Sequence, residues 1–344
     1  MAPLPFDAVP GPRGPDMLRA MRTIQRDAVE FLGDCAGRYG PVVAFPIPRV
    51  PVVLVADADD VQRVLQTNHQ GYGKRTVQYA ALSLVTGEGL LTSDGVAWRS
   101  MRRLLQPAFH RDLLGGVLAG VDAAARTLAD EWSPLSQSSV VDVDAAMMRT
   151  AMRVVGTTLF GADLGGEAVR LVAEVAIALE VVVSRAQLPV QPPAWLPTPG
   201  NRRLQRSLAS LDAAVDRLVR ARRERPAGDD VLSLLLRAQA EGLATARQVR
   251  NEVVTLIVAG HETVATTLTW TWYLLSRSPN AAARVAAEGA GLPGRPLTLD
   301  DVESLRYTRA VVDESLRLHP PAWLISRRSL AADELGGYRI PEGT

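Results

Sequence analysis

Residues 251–279 read NEVVTLIVAGHETVATTLTWTWYLLSRSP, and few folds can house such a stretch. Its apolar spacing predicts one helix over 245–277, about 50 Å long at about 1.5 Å per residue and so able to cross a whole domain. Gly260, His261, Glu262 and Thr263 interrupt its middle. A glycine costs about 1 kcal/mol against alanine inside a helix, and a carboxylate in apolar surroundings is costly unless it is paired or used. Leu256, Ala259, Gly260, Thr263 and Thr267 fall on one face by the i, i+3, i+4 rule. Small residues there would let a flat body approach the backbone, and Gly260 with Thr263 would permit a local opening of the helix. A plainer account stands beside this one: a glycine packed on a neighbouring helix and a threonine bonded to its own backbone.

The remaining sequence frames that helix. At 344 residues, with 47% hydrophobic and 22% charged side chains, the chain can build a large core. The net charge of +1 gives no global reason to expect nucleic acid or an acidic membrane as partner. A single cysteine, Cys35, excludes an internal disulfide and fits a reducing compartment. The Pro-rich start, MAPLPFDAVPGPRGP, lacks a signal-peptide apolar core, and no apolar run reaches about 18 residues, so a cytoplasmic protein without a membrane span is expected. Residues 42–47 and 51–55 read as the strands of a hairpin joined by a short Pro/Arg turn. Helices are expected at 16–38, 58–67, 95–106, 112–132, 142–160, 166–187, 201–224, 229–241, 245–277, 279–289 and 306–318, with loops at 188–201 and 291–298. The whole reads as one mainly α domain over 1–344, with residues 1–15 an extended lead-in and a small N-terminal β-hairpin or sheet. Helix 201–224 carries Arg202, Arg203, Arg206, Arg217, Arg220, Arg222 and Arg223, read as a solvated face rather than a binding patch.

Two further patterns bear chemistry. In ESLRLHPP, residues 314–321, Glu314 and Arg317 stand i, i+3 and can pair before the helix stops at Pro320; as a surface pair they would contribute little. In GVAWRSMRRLLQPAFH, residues 95–110, Trp98 and Arg102 stand i, i+4, an indole N–H and a guanidinium suited to gripping a carboxylate. The same pair also reads as a Trp packed under an Arg stem.

Taken in order, AGHETV, ESLR with LHPP, WRSMR and the strand-like RRSLAADELGGYRIPEGT at 327–344 resemble the cytochrome P-450 family of haem-thiolate monooxygenases, bacterial soluble type, from about residue 9 to the last. The resemblance implies a cytochrome P-450-like helical domain that binds haem b and inserts one oxygen atom of O2 into an apolar small molecule. NAD(P)H would supply electrons indirectly, through ferredoxin and ferredoxin reductase or a flavin reductase. The central helix would cross the distal face of the haem, with Ala259 and Gly260 leaving room for dioxygen. Thr263 would hydrogen-bond the oxygen at the iron or a water beside it, and Glu262 would help relay protons for O–O cleavage. His261 is left as structural. Trp98 and Arg102 would hold a propionate, joined by Arg327, with Arg328 as the alternative. Glu314 and Arg317 would form a buried scaffold pair under the proximal side. Substrate would be lined by the loop at 72–92, the 178–200 region, Leu256 to Thr267, and Ala322 to Ile325.

In this family a cysteine thiolate holds the iron, in a FxxGxxxCxG loop after the ExxR helix. This sequence contains no such loop, so no residue of it is assigned to the metal. Cys35, in FLGDCAGRYG, matches no ligand pattern and reads as a small buried hydrophobe. The chain is therefore expected to be an N-terminal, C-terminally truncated fragment, inactive by itself. An unpartnered strand edge near Thr344 and weak stability follow from that expectation. Two other readings stay open: a non-catalytic remnant or apolar-ligand scaffold without thiolate-ligated haem, and a helical regulator whose basic helix binds a partner.

Overall fold

The computed structural model describes residues 3–13, 16, 23, 24, 26–46, 51–110, 114–136, 138–161, 173–181, 193, 196–225, 228 and 230–344. The chain forms two compact units, Met1–Tyr79 with Trp323–Thr344, and Ala80–Ala322.

The smaller unit is built from short strands and two N-terminal helices. Helix α1 (Ala28–Tyr39) starts where the Asp27 side chain accepts the Glu30 N–H, the usual work of an N-cap. Strands β1 (Val42–Phe45) and β2 (Val52–Val55) pair antiparallel, with Val42 opposite Val55 and Phe45 opposite Val52. The hairpin's expected Pro/Arg turn at 48–50, and position 47 of the strand expected at 42–47, lie outside the described residues. Phe31 and Cys35 of α1 pack with Val43 and Phe45 of β1, and the two phenylalanine rings sit 5.9 Å apart. Helix α2 (Ala58–Gln62) runs on into a wider π turn over Arg63–Thr67. Strand β3 (Tyr72–Gly73) follows, and α3 (Val77–Thr86) begins in this unit.

The returning chain adds three strands. β4 (Arg328–Ser329) pairs antiparallel with β3, and β5 (Asp333–Leu335) with β6 (Tyr338–Ile340). The bare edge expected near Thr344 is not found. Leu4 bridges Tyr338 in parallel, its N–H donating to Gly337 O at 2.8 Å while Arg339 N–H donates to Leu4 O at 2.7 Å. Ser329 N–H donates to Thr344 O, and Gly343 N–H to Ser329 O, both at 2.9 Å. Backbone polar groups seek partners wherever the chain can fold back on itself, and here its two ends supply them.

The larger unit is helical: α4 (Gly95–Leu105), α5 (Leu114–Trp132), α6 (Val143–Phe160), a helical segment at 173–181, α7 (Pro199–Arg223), α8 (Val231–Ala240), α9 (Ala246–Ser276), α10 (Pro279–Ala290), α11 (Leu299–Ser304) and α12 (Arg306–Leu318). Local chemistry sets several boundaries. A reciprocal capping box between Thr245 and Gln248 opens α9, satisfying two otherwise orphaned donors. Thr198 caps α7 with Pro199 at its first turn, where a missing N–H costs nothing. Val253, Val254 and Ile257 of α9 pack into one core with Val155, Phe160, Leu211, Leu232 and Leu235. Each such side chain contributes about 1.5–3 kcal/mol by leaving water.

Most of the expected helices recur with small shifts at their ends, but the helix expected at 16–38 is broken at Asp27, and two helices are additions: α11, and one inside the 72–92 stretch read as a loop. Helix α3 lies there; QYAALSLVT is apolar on most sides and carries no amphipathic stripe to announce it. Of the helix expected at 166–187 only 173–181 is described, and much of the 188–201 loop lies outside the described residues, as do 17–22 and 25 of the helix expected at 16–38. On α7, Arg202, Arg203, Arg206, Arg217, Arg220 and Arg223 are exposed, the solvated face expected, while Arg222 turns inward to Asp230 at 2.9 Å.

Candidate functional site

Helix α9 runs through the core of the larger unit, and its middle is regular helix without an opening. Asn251, Glu252, Val253, Val254, Thr255, Ile257, Val258, His261 and Ala265 are buried. Ala259, Glu262 and Thr263 are exposed, and Leu256, Gly260 and Thr267 half-buried. Helix α9 is sunk in apolar packing over 251–258, and from there on a strip of Ala259, Glu262, Thr263 and Val264 turns outward, as do Trp270, Trp272 and Tyr273 nearer its end.

Within that strip each residue has a definite setting. The Thr263 hydroxyl donates to the Ala259 carbonyl at 2.6 Å, and Thr267 to the Thr263 carbonyl at 2.8 Å. Both are back-bonds to the preceding turn that a threonine readily makes. Gly260 faces α6: a Cβ there would lie 2.9 Å from Val155 Cγ2. The packing account of the glycine and threonine is thus what the helix displays, and Ala259, not Gly260, borders the open side. Glu262 has no hydrogen-bond or ion-pair partner among the described residues. His261 is 2% exposed, with Nδ1 2.5 Å from the Ile257 carbonyl, a satisfied core histidine as expected.

Trp98 and Arg102 ride on α4, Trp98 half-buried and Arg102 exposed. The Arg102 guanidinium forms no hydrogen bond or ion pair among the described residues, so it stands available to a carboxylate. Arg327 belongs to the smaller unit, where it donates to the Tyr79 hydroxyl at 3.1 Å and the Ser326 carbonyl at 2.9 Å. Arg328, in β4, is exposed. Ala322 closes the larger unit, and Ile325, 51% exposed, falls in the smaller.

The Glu314–Arg317 pair forms, with two bonds of 2.7 Å, but it is not buried: the side chains are 54% and 66% exposed. Helix α12 packs inward through Ser315, which is 1% exposed, and neither Glu314 nor Arg317 shares its buried side. The Arg317 hydrogen bond holds the Glu314 carboxyl below its ordinary range. The N-terminus of α12 is fastened from α10, where the Glu288 carboxylate accepts the Tyr307 and Thr308 N–H groups at 3.0 and 2.7 Å. At its other end His319 stacks on Trp270 of α9, ring centroids 3.8 Å apart.

Sequence reasoning passes over a buried polar seam ahead of the AGHET residues. Glu252, 1% exposed, accepts the Leu90 N–H at 3.1 Å. Gly87 has φ +68, and the Asn251 side-chain amide occupies the space a Cβ would need. Arg250 Nη1 donates to the Val85 carbonyl at 2.9 Å. Two charged or amide side chains inside an apolar helical run, and two glycines in GEGLL, were the available signal.

Among the described residues no group of three or more His, Cys, Asp or Glu could hold a metal ion, and no helix is long and apolar enough to cross a membrane. Cys35 is 5% exposed among Phe31, Val43 and Phe45, and burial pushes its thiol pKa up, the reverse of a ready thiolate. Taken singly, the small exposed residues of α9 suit a flat apolar body and the exposed Arg102 guanidinium of α4 suits a carboxylate.

Comparison with known proteins points the same way. The Cytochrome P-450 family model matches residues 10–344. The chain is 35% identical over 326 residues to cyclooctatin synthase of Streptomyces melanosporofaciens, covering 92% of this chain and 69% of that protein. It is 34% identical over 347 residues to cyclooctat-9-en-7-ol 5-monooxygenase of the same organism, covering 99% and 74%. Against pentalenene oxygenase of Streptomyces avermitilis it is 33% identical over 314 residues, covering 89% and 67%.

Proposed function

The chain belongs to the cytochrome P-450 family, by family a haem-thiolate monooxygenase, and on that premise we propose that it serves the insertion of one oxygen atom of O2 into an apolar, hydrocarbon-like small molecule. The observation that carries the reading is that Ala259, Glu262 and Thr263 stand exposed directly after the buried 251–258 stretch of α9. The substrate class is inferred from relatives whose names specify pentalenene and cyclooctat-9-en-7-ol, and from the apolar character of Leu256, Ala322 and Ile325. Electrons would come from NAD(P)H through ferredoxin and its reductase or a flavin reductase, in the cytoplasm.

Haem, when bound, supplies the dioxygen activation. The chain's own residues supply position and protons. Trp98 and Arg102 would hold one propionate by N–H donation, and Arg327, taken by itself in the smaller unit, is proposed as a carboxylate-binding arginine. Ala259 leaves the strip low. Thr263 keeps one proton on Oγ1, now given to the Ala259 carbonyl; rotation about χ1 would present that hydroxyl to the strip. Glu262, exposed, can exchange protons with water and pass them toward Thr263. None of the 344 residues is proposed as the iron's axial ligand.

The test is to incubate the protein with haem, ferredoxin, ferredoxin reductase, NAD(P)H and a panel of cyclic hydrocarbons under ¹⁸O₂. A product carrying one ¹⁸O atom is expected when the chain is joined to a segment that supplies the thiolate ligand, and none from the 344 residues alone. In that joined protein, haem uptake with no oxygenated product from any hydrocarbon would overturn the substrate class, and failure to take up haem would overturn the reading itself.

A further inference from the structure

We propose that Glu252 is a positioning residue: it clamps the 87–92 loop to the central helix and so fixes the station of α4, which begins at Gly95, relative to Ala259–Thr263. The functional consequence rests on the haem reading above; the positioning itself does not.

The clamp is made of several independent contacts. Glu252, 1% exposed, takes the Leu90 N–H at 3.1 Å across 162 residues of sequence. One residue before it, Asn251 fits its amide against Gly87, where any side chain would collide. One turn later, Thr255 Oγ1 and the Asn251 carbonyl do the same against Gly89. Arg250 reaches the Val85 carbonyl at 2.9 Å and is itself held by Asp212 at 2.7 Å. The loop is also closed on itself: the Thr92 hydroxyl donates to Gly87 O at 2.6 Å, and the Ser93 N–H to Gly89 O at 2.8 Å.

This geometry explains an otherwise costly choice. A buried carboxylate destabilises a core unless its hydrogen bonds are made, and an apolar residue at 252 would leave the Leu90 N–H without that acceptor. Glu252 lies about two turns ahead of Ala259 on one rigid helix, and Leu90 lies just ahead of α4. The Glu252–Leu90 bond, with the contacts of Arg250, Asn251 and Thr255 around it, therefore ties the oxygen-side strip to the segment leading into the helix that carries Trp98 and Arg102. Small displacements of a binding group can cost large factors in function.

The experiment uses the full chain with Cys35→Ser and two spin labels, at Arg99→Cys on α4 and Val264→Cys on α9, both exposed positions. Glu252→Ala should broaden the interspin distance distribution and weaken haem binding, followed by Soret titration of the unlabelled protein, by about tenfold or more. Glu252→Gln, which keeps an acceptor oxygen, should restore both to near wild type. Met147→Ala, a core change in α6 serving as a general destabilisation control, should move neither. An unchanged distribution in Glu252→Ala, or equal broadening in Met147→Ala, overturns the positioning role. Glu252-dependent broadening in a chain that takes up no haem leaves the positioning role standing and overturns the haem reading of Trp98 and Arg102.

Discussion

Replacing Gly260 by alanine sets two effects of known sign against each other. In a free helix the change stabilises by about 1 kcal/mol, because glycine is the poorer helix former. Here the new Cβ would stand 2.9 Å from Val155 Cγ2, about an ångström inside a comfortable carbon–carbon contact. Val155 is 6% exposed and sits in the main core, so it has little room to yield. Overpacking of this kind costs about 1–3 kcal/mol, which cancels or exceeds the helical gain. We expect Gly260→Ala to be neutral to about 2 kcal/mol destabilising in urea unfolding. In a Val155→Ala background the obstacle is gone, and the same change should stabilise by about 1 kcal/mol. The coupling between the sites, read from the double-mutant cycle, should thus be about 1–3 kcal/mol. If Gly260→Ala stabilises both backgrounds equally, the glycine is not there for α6, and the packing account fails.

Three other outcomes follow from particular contacts. Asp333, its side chain 8% exposed, accepts from Arg63, Asn68 and the Tyr72 hydroxyl at 2.6, 2.9 and 2.7 Å. Asp333→Ala strands those donors and should cost about 3 kcal/mol, discounted from the full value of a buried pair because Arg63 can rehydrate; a urea midpoint within error of wild type would refute it. Burial pushes the Asp333 carboxyl up, but those donors outweigh it and hold its pKa well below the ordinary range. Its contribution is present above the unfolded value of about 4 and is lost as pH falls through the lower folded value, so the gap between wild type and Asp333→Ala should narrow in acid. Glu288, held low by the Tyr307 and Thr308 donors, has the same sign: Glu288→Gln should unfasten α12 near neutral pH, seen as faster amide exchange at Tyr307 and Thr308, and differ least from wild type in acid. In a protein that joins this chain to a segment supplying the thiolate ligand, Thr263→Ala should leave haem binding intact while uncoupling NAD(P)H consumption from product, and unchanged coupling would rule out the proton role of Thr263.

What could be read in advance was what neighbours along the chain determine. The 3.6-residue period of α9, its Thr245–Gln248 cap, the stop after α12 and the i, i+3 contact of Glu314 with Arg317 all depend on groups within about one turn of each other. The order of AGHETV, ESLR and WRSMR carried the family for the same reason. Burial is another matter, because it depends on what lies across from a side chain. Glu314 and Arg317 pair as expected yet stay exposed, since α12 turns Ser315, not them, into the core. Gly260 is explained by Val155 and not by the open strip. The clamp of Glu252 on Leu90 spans 162 residues, and no pattern along the chain encodes a hydrogen bond between groups so far apart. Helical periodicity and capping are local energies that a sequence displays directly; which faces meet, and which charges end up dry, is settled only when the elements pack.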